Sequence, residues 1–258
     1  MRMLSVWLVG ACLFSGSVSA AELVRAAYED KPLPPFYMGS GAEPDPVAPG
    51  VSVELLREAA AAAGIEIQFV RLPWARCLKS LKSGEVDAIF NASFKEERQE
   101  AGVYPMVAGK PDPARRIANL SYMLYRLKDG PVSWDGKAMG GLDGGPVGIQ
   151  AGYSVAEDLA RLGLKAEEAA DTVTNFKKLA SRRIAAVAQL EVAGDSVLGR
   201  GDFPTIEKAQ PPLVTKDYFL MFSHQFYDSR RATAEKLWAK LAEMRERRAA
   251  AITAKYVQ

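Results

Sequence analysis

The sequence is poor in the residues that most often bind metals or carry out nucleophilic catalysis. It holds one histidine, His224, and two cysteines, Cys12 and Cys77, in 258 residues. A zinc site drawn from this stock would be mostly carboxylate, which is uncommon. A Ser-His-Asp enzyme would have to use His224 and no other. So few cysteines also exclude a small fold built on disulfides. Charge of one sign is scarce as well. Lys and Arg number 33 against 31 Asp and Glu, for a formal net charge of +2. A nucleic-acid binder needs a basic excess to displace counterions, so no nucleic-acid partner is expected. Apolar residues make up 48% and charged residues 25%, a balance that fits a folded globular chain and not a disordered one.

What is present begins with a leader. Arg2 is the only charge before Glu22, the run Leu4 to Phe14 is largely apolar, and Val18-Ser19-Ala20 precedes Ala21. A charged start, a short apolar core and a small-residue end form the pattern of a secretory signal, here cleaved after Ala20, which places the mature chain in the periplasm. The run is too short to cross a bilayer, which takes about 20 residues. Val9-Gly10-Ala11-Cys12 loosely resembles a lipobox, but the apolar stretch before Cys12 is too short to favour a lipoprotein. Cleavage leaves Cys77 as the only thiol. It shares an apolar helix face with Trp74, Leu78 and Leu81, which predicts a buried, inert cysteine.

Downstream, strand and helix patterns alternate, the grammar of α/β layers. Glu22 to Tyr28 reads as a strand. A loop holding six prolines follows, from Pro32 to Pro49. Ser52 is placed to cap a helix whose face is Leu55, Leu56, Ala59, Ala60 and Ala63, ended by Gly64. Ile65 to Phe69 alternates as a strand, Pro73 opens a second helix that Gly84 closes, and Val86 to Phe90 is the next strand. A strand near Leu120 to Tyr125 starts a second block. This block repeats the pattern with strands at Pro146 to Ile149 and Ile184 to Gln189, and with helices at Ser154 to Leu162 and around Phe176 to Ala180. Tyr218 to Phe222 leads back, and a helix over Thr233 to Arg245 buries Ala234, Leu237, Trp238 and Leu241.

Two helix starts suggest where a ligand would bind. Ser93 with Glu96, and Ser154 with Glu157, have capping-box spacing, each just after a strand. Helix N-termini at the carboxyl ends of strands suit an anion. Arg98, five residues past Ser93, has a guanidinium that can fork onto a carboxylate. Phe36 and Trp74 are candidates for an aromatic wall, beside Tyr153.

Taken in order, these pieces resemble the family 3 extracytoplasmic solute-binding proteins, the amino-acid-type receptors of ABC importers. The resemblance rests on Pro35-Phe36-Tyr37, on Pro73-Trp74-Ala75-Arg76 with Leu81 to Ile89, on Ser93 to Arg98, on Tyr104-Pro105 and on Val147 to Ser154. It implies an α/β, two-lobed periplasmic binding protein type II fold with a hinge between the lobes. Residues 21–118 would form lobe 1, 119–221 lobe 2, and 222–258 a return to lobe 1. It further implies a monomer that captures a small-molecule solute without a cofactor or metal and presents it to an ABC permease. The carboxylate clamp would fall on Arg98, with supporting contacts from Asn91, Ser93 and Ser154. The acid that holds an amino acid's ammonium in such receptors would fall on Leu190, with Glu191 one residue further on. Either Glu191 substitutes for that acid or the ligand is not a standard α-amino acid. The alternatives are a periplasmic enzyme on the same scaffold, with Glu191 as its acid, and an orphan sensor or binding module.

Overall fold

The computed structural model of the protein describes residues 22–256. The signal-peptide reading of Met1 to Ala20 and the lipobox at Cys12 lie outside the described residues. Nine strands form one continuous sheet: β1 (Glu22–Glu29), β2 (Ile65–Leu72), β3 (Ala88–Ser93), β4 (Ala118–Leu127), β5 (Val147–Gln150), β6 (Ala166–Ala169), β7 (Ala186–Leu190), β8 (Ile206–Lys208) and β9 (Val214–Phe222). Their order is β6-β5-β7-β4-β9-β3-β1-β2, with β8 also paired to β4.

Two parallel blocks lie at the ends of this order. β2, β1 and β3 run parallel, as do β6, β5 and β7. The long strands β4 and β9 join the blocks in antiparallel fashion. The first half of β9 pairs with β4, from Val214 opposite Tyr122 to Tyr218 opposite Ala118. The second half pairs with β3, from Tyr218 opposite Ser93 to Phe222 opposite Ala88. Tyr218 is therefore the point at which one strand passes from one block to the other. Two lobes joined by two crossing strands are the expected architecture.

Among the described residues seven α-helices cover the sheet: α1 (Val51–Ala63), α2 (Trp74–Ser83), α3 (Val155–Arg161), α4 (Thr172–Ala180), α5 (Glu191–Leu198), α6 (His224–Ser229) and α7 (Arg231–Thr253). α1 buries the predicted face, and Gly64 ends it at φ +70°, a left-handed turn that glycine adopts at no steric cost. Its start differs from expectation. Gly50 occupies the cap position and Ser52 lies inside the helix, because Gly50 takes φ +106° where a Cβ would meet the Phe36 carbonyl oxygen at 2.5 Å. The C-terminal helix is longer than predicted. It docks on lobe 1 through Trp238, whose Nε1 donates to the Leu220 carbonyl at 2.8 Å and whose ring lies 5.2 Å from that of Phe222. His224 opens α6, and its Nε2 lies 2.8 Å from the Gln99 carbonyl oxygen. Cys77 is fully buried, as its helix face implies, and burial pushes its thiol up to about 12. No described helix is long and apolar enough to cross a membrane.

Candidate functional site

Two pairs of parallel strands, one pair from each block, end at one place. β1 ends at Glu29, β3 at Ser93, β5 at Gln150 and β7 at Leu190. Glu29, Ser93 and Leu190 line a cavity of about 20 Å³ between the lobes, and Gln150 bonds to Glu29 at its edge. That is room for roughly one water, so the lobes are closed on each other. In open α/β sheets the carboxyl ends of strands are where ligands collect, because backbone and side chains there splay away from the packed layers. Tyr37, Trp74, Phe90, Tyr122, Tyr153 and Tyr218 supply aromatic walls.

One end of the cavity is built around Arg98. It projects from a short 3-10 turn, Glu96–Glu100, and is 6% exposed. Its Nη1 donates to the Ser93 carbonyl at 2.6 Å and to Ser93 Oγ at 3.1 Å. Its Nη2 crosses the cleft to the Gly152 carbonyl at 2.9 Å. The guanidinium also lies 5.1 Å from the centre of the Trp74 ring, a contact worth about 0.5–2 kcal/mol. Among the described residues, none of its hydrogen bonds goes to a carboxylate. Ser93 Oγ and Ser154 Oγ share a bond of 2.8 Å across the same gap. Beside them Asn91 takes φ +56°, a conformation asparagine tolerates. Both its amide atoms are buried without a hydrogen-bond partner among the described residues, and so is Trp74 Nε1. Each such unpaired group costs about 1–3 kcal/mol.

The other end is built around Glu29, which is 5% exposed. Tyr153 donates to its Oε2 at 2.7 Å, Gln150 to its Oε1 at 2.9 Å, and Tyr37 to its Oε2 at 3.4 Å. Tyr153 and Gln150 come from lobe 2, so this carboxylate ties the lobes together. Burial raises the Glu29 carboxyl above its usual range, while the bond from Tyr153 pulls it back. Burial, and then the Glu29 charge, hold the Tyr37 and Tyr153 hydroxyls well above their usual range, so both remain protonated donors.

The chain matches the sequence profile of the bacterial extracellular solute-binding proteins, family 3, over residues 25–258. It belongs to that family. Among solved structures, the family fold recurs in a histidine kinase sensor domain with similarity to periplasmic binding proteins. That structure shares 18% identity and a TM-score of 0.69, covering 92% of this chain and 97% of its own. The arginine-, lysine-, histidine-binding protein ArtJ from Geobacillus stearothermophilus shares 18% identity at a TM-score of 0.68, covering 92% and 95%. The GluR0 ligand-binding core from Nostoc punctiforme, in complex with L-glutamate, shares 16% identity at 0.66, covering 91% and 99%. No curated protein sequence matches at a significant level.

Within this family fold, the cavity brings together Trp74, Asn91, Ser93, Arg98, Tyr153 and Ser154. Two other candidates lie elsewhere. Phe36 packs against the lobe 1 core, and its neighbour Tyr37 faces the cavity instead. Glu191 is the first residue of α5 and points away, toward Lys208 Nζ at 2.7 Å. It does not take the place of an acid at Leu190. Neither proposed capping box forms. Ser93 is the last residue of β3, with extended backbone continuing to Lys95, and Ser154 makes no cap bond to α3 because its hydroxyl is engaged by Ser93. Glu29, Gln150, Tyr122 and Tyr218 were not among the candidates. Glu29 and Gln150 carry one legible signal, their place as the last residues of strands. Tyr122 and Tyr218 carry none, since on the crossing strands they read as ordinary core. Among the described residues no group of three or more His, Cys, Asp or Glu could hold a metal ion.

Proposed function

We propose that this chain is a periplasmic receptor that captures a small carboxylate-bearing solute by lobe closure and delivers it to an ABC-type permease, acting as a monomer without covalent chemistry. The observation that carries this reading is Arg98: a buried guanidinium in the interlobe cavity, with no carboxylate among its hydrogen-bond partners. A buried cation without a counter-ion is costly, and an anionic ligand offsets that cost. In the closed form Gly152 and Ser154 of lobe 2 bond directly to Arg98 and Ser93 of lobe 1, so a ligand would enter with the lobes apart and take over these contacts, touching both. The lobes are residues 21–118 with 222–258, and 119–221, a division that the switch of pairing partners at Tyr218 supports. Residues 1–20 are the cleaved signal.

The test is isothermal titration against a panel of amino acids, hydroxy acids and simple carboxylates. Saturable binding that Arg98→Ala abolishes supports the receptor. A panel with no binder, or an Arg98→Ala protein that binds as well as the parent, overturns it.

One observation favours a second reading, an enzyme on the same scaffold. Glu29 is a carboxyl in the cleft that burial raises, as a general acid requires. Its oxygens, however, accept from Tyr153, Gln150 and Tyr37, of which the two tyrosines pull against that rise, and the three bonds hold the group in the closure contact. Turnover of any bound carboxylate, lost in Glu29→Gln, would establish the enzyme instead.

A further inference from the structure

We infer that the cleft is built for a hydroxy-carboxylate that carries no ammonium group, with Arg98 and Trp74 on the carboxylate and Asn91 on the hydroxyl. The inference rests on the receptor reading above and adds the chemical class of its ligand.

It comes from counting which polar groups of the cavity lack a partner. Asn91 is 8% exposed, lines the cavity, and has both its amide nitrogen and its amide oxygen unpaired. Because both atoms are free, the argument is the same whichever way the amide is turned. Trp74 Nε1 lines the same cavity and is also unpaired. The unpaired set is therefore an indole N–H and an amide NH₂ as donors, with a single amide oxygen as acceptor. Arg98 adds further N–H donors, since three of its bonds use only part of a guanidinium's five.

A carboxylate only accepts, and it fits the donor-rich side of this set. A hydroxyl donates once and accepts, and it fits both atoms of Asn91. An ammonium presents three donors and accepts nothing, so at Asn91 it could use Oδ1 but would leave the amide NH₂ without an acceptor. The acid of the cavity, Glu29, takes bonds from Tyr153, Gln150 and Tyr37, which fill three of a carboxylate's roughly four acceptor sites. Leu190, 2% exposed at the end of β7, offers no lone pair. Glu191 is held outside by Lys208. A primary ammonium would thus leave the Asn91 amide donor unmet, and a hydroxyl would not.

The experiment compares matched pairs that differ only in this group: glycolate with glycine, L-lactate with L-alanine, L-malate with L-aspartate, and L-3-phenyllactate with L-phenylalanine. Each is titrated calorimetrically into the full mature chain. The expected result is a preference of about tenfold or more for the hydroxy member of whichever pair binds. Leu190→Asp, with its fold checked by circular dichroism, should bring the amino member up to or above the hydroxy member. If that variant does not fold, Asn91→Asp, which keeps the side-chain shape, should lower hydroxy-acid affinity about tenfold or more. An amino member that binds as well as or better than its hydroxy partner overturns the inference and leaves the receptor reading standing. Binding only by carboxylates that lack a hydroxyl also overturns it. A chain that binds nothing in this set or in the broader panel overturns both.

Discussion

The two ends of the interlobe cavity differ in what they leave undone. At one end Glu29 has all its needs met by the protein: three neutral donors, two of them from the opposite lobe, surround a buried carboxylate. At the other, among the described residues, Arg98 has no carboxylate among its partners, and Asn91 and Trp74 hold polar atoms with none. Both ends are equally hidden from water, so burial does not separate them. Satisfaction does. A saturated cluster fixes the geometry of closure, whereas an unsatisfied one leaves interaction energy for a ligand to supply.

This contrast can be broken at several points. The largest effect is expected from Arg98→Ala, which should weaken carboxylate binding by about 2–5 kcal/mol in calorimetric titration. Tyr153→Phe should act at the saturated end. Removing a donor to a buried carboxylate should lower unfolding free energy by about 1.5–3 kcal/mol in urea titration, with more effect on closure than on ligand chemistry. Glu29→Gln tests the same cluster through pH. The carboxyl of folded Glu29 titrates above its ordinary value of 4.5, so its contribution to stability is complete below that value and is lost as pH rises through the folded pKa. The melting temperature of the parent relative to Glu29→Gln should therefore fall as pH is raised from about 4.5 toward neutrality. A difference that stays flat with pH would show that Glu29 titrates normally. The smallest effect belongs to Glu191→Gln. It removes one arm of a half-exposed contact with Lys208, which also bonds Asp195 at 2.6 Å. Stability should change by no more than about 1 kcal/mol and ligand affinity not at all. A loss of affinity there would return Glu191 to the site.

Much of the scaffold was legible because it follows short-range rules. The apolar spacing of α1, the glycines at 64 and 84, and Pro73 before α2 are local statements, and the helices stop and start where these residues direct. The carboxyl ends of β1, β5 and β7 were legible to within a residue, whereas β2 and β3 run three residues past the ends read and β9 starts four residues earlier. The two capping boxes were misread because their spacing is a local signal overridden by a distant one. Ser93 and Ser154, sixty-one residues apart in the chain, satisfy each other in place of their own helices. Glu191 was misjudged by a single position. A residue just past the end of β7 rotates onto α5 and out of the cavity, while Leu190, the last strand residue, stays in it.

By itself, the sequence determined the class of layers, the order of the longer elements though not of β6, β8, α5 and α6, the scarcity of metal- and thiol-based chemistry, and the presence of an arginine after β3 suited to an anion. These depend on composition and on periodicities that act over a few residues. The tertiary structure alone decided that Glu29 faces Tyr153 across 124 positions, that Arg98 meets Gly152 and no acid, and that Asn91 remains unpaired. Such facts depend on which strand ends the sheet order brings together. That order is settled by the packing of whole layers, which no short stretch of the chain encodes.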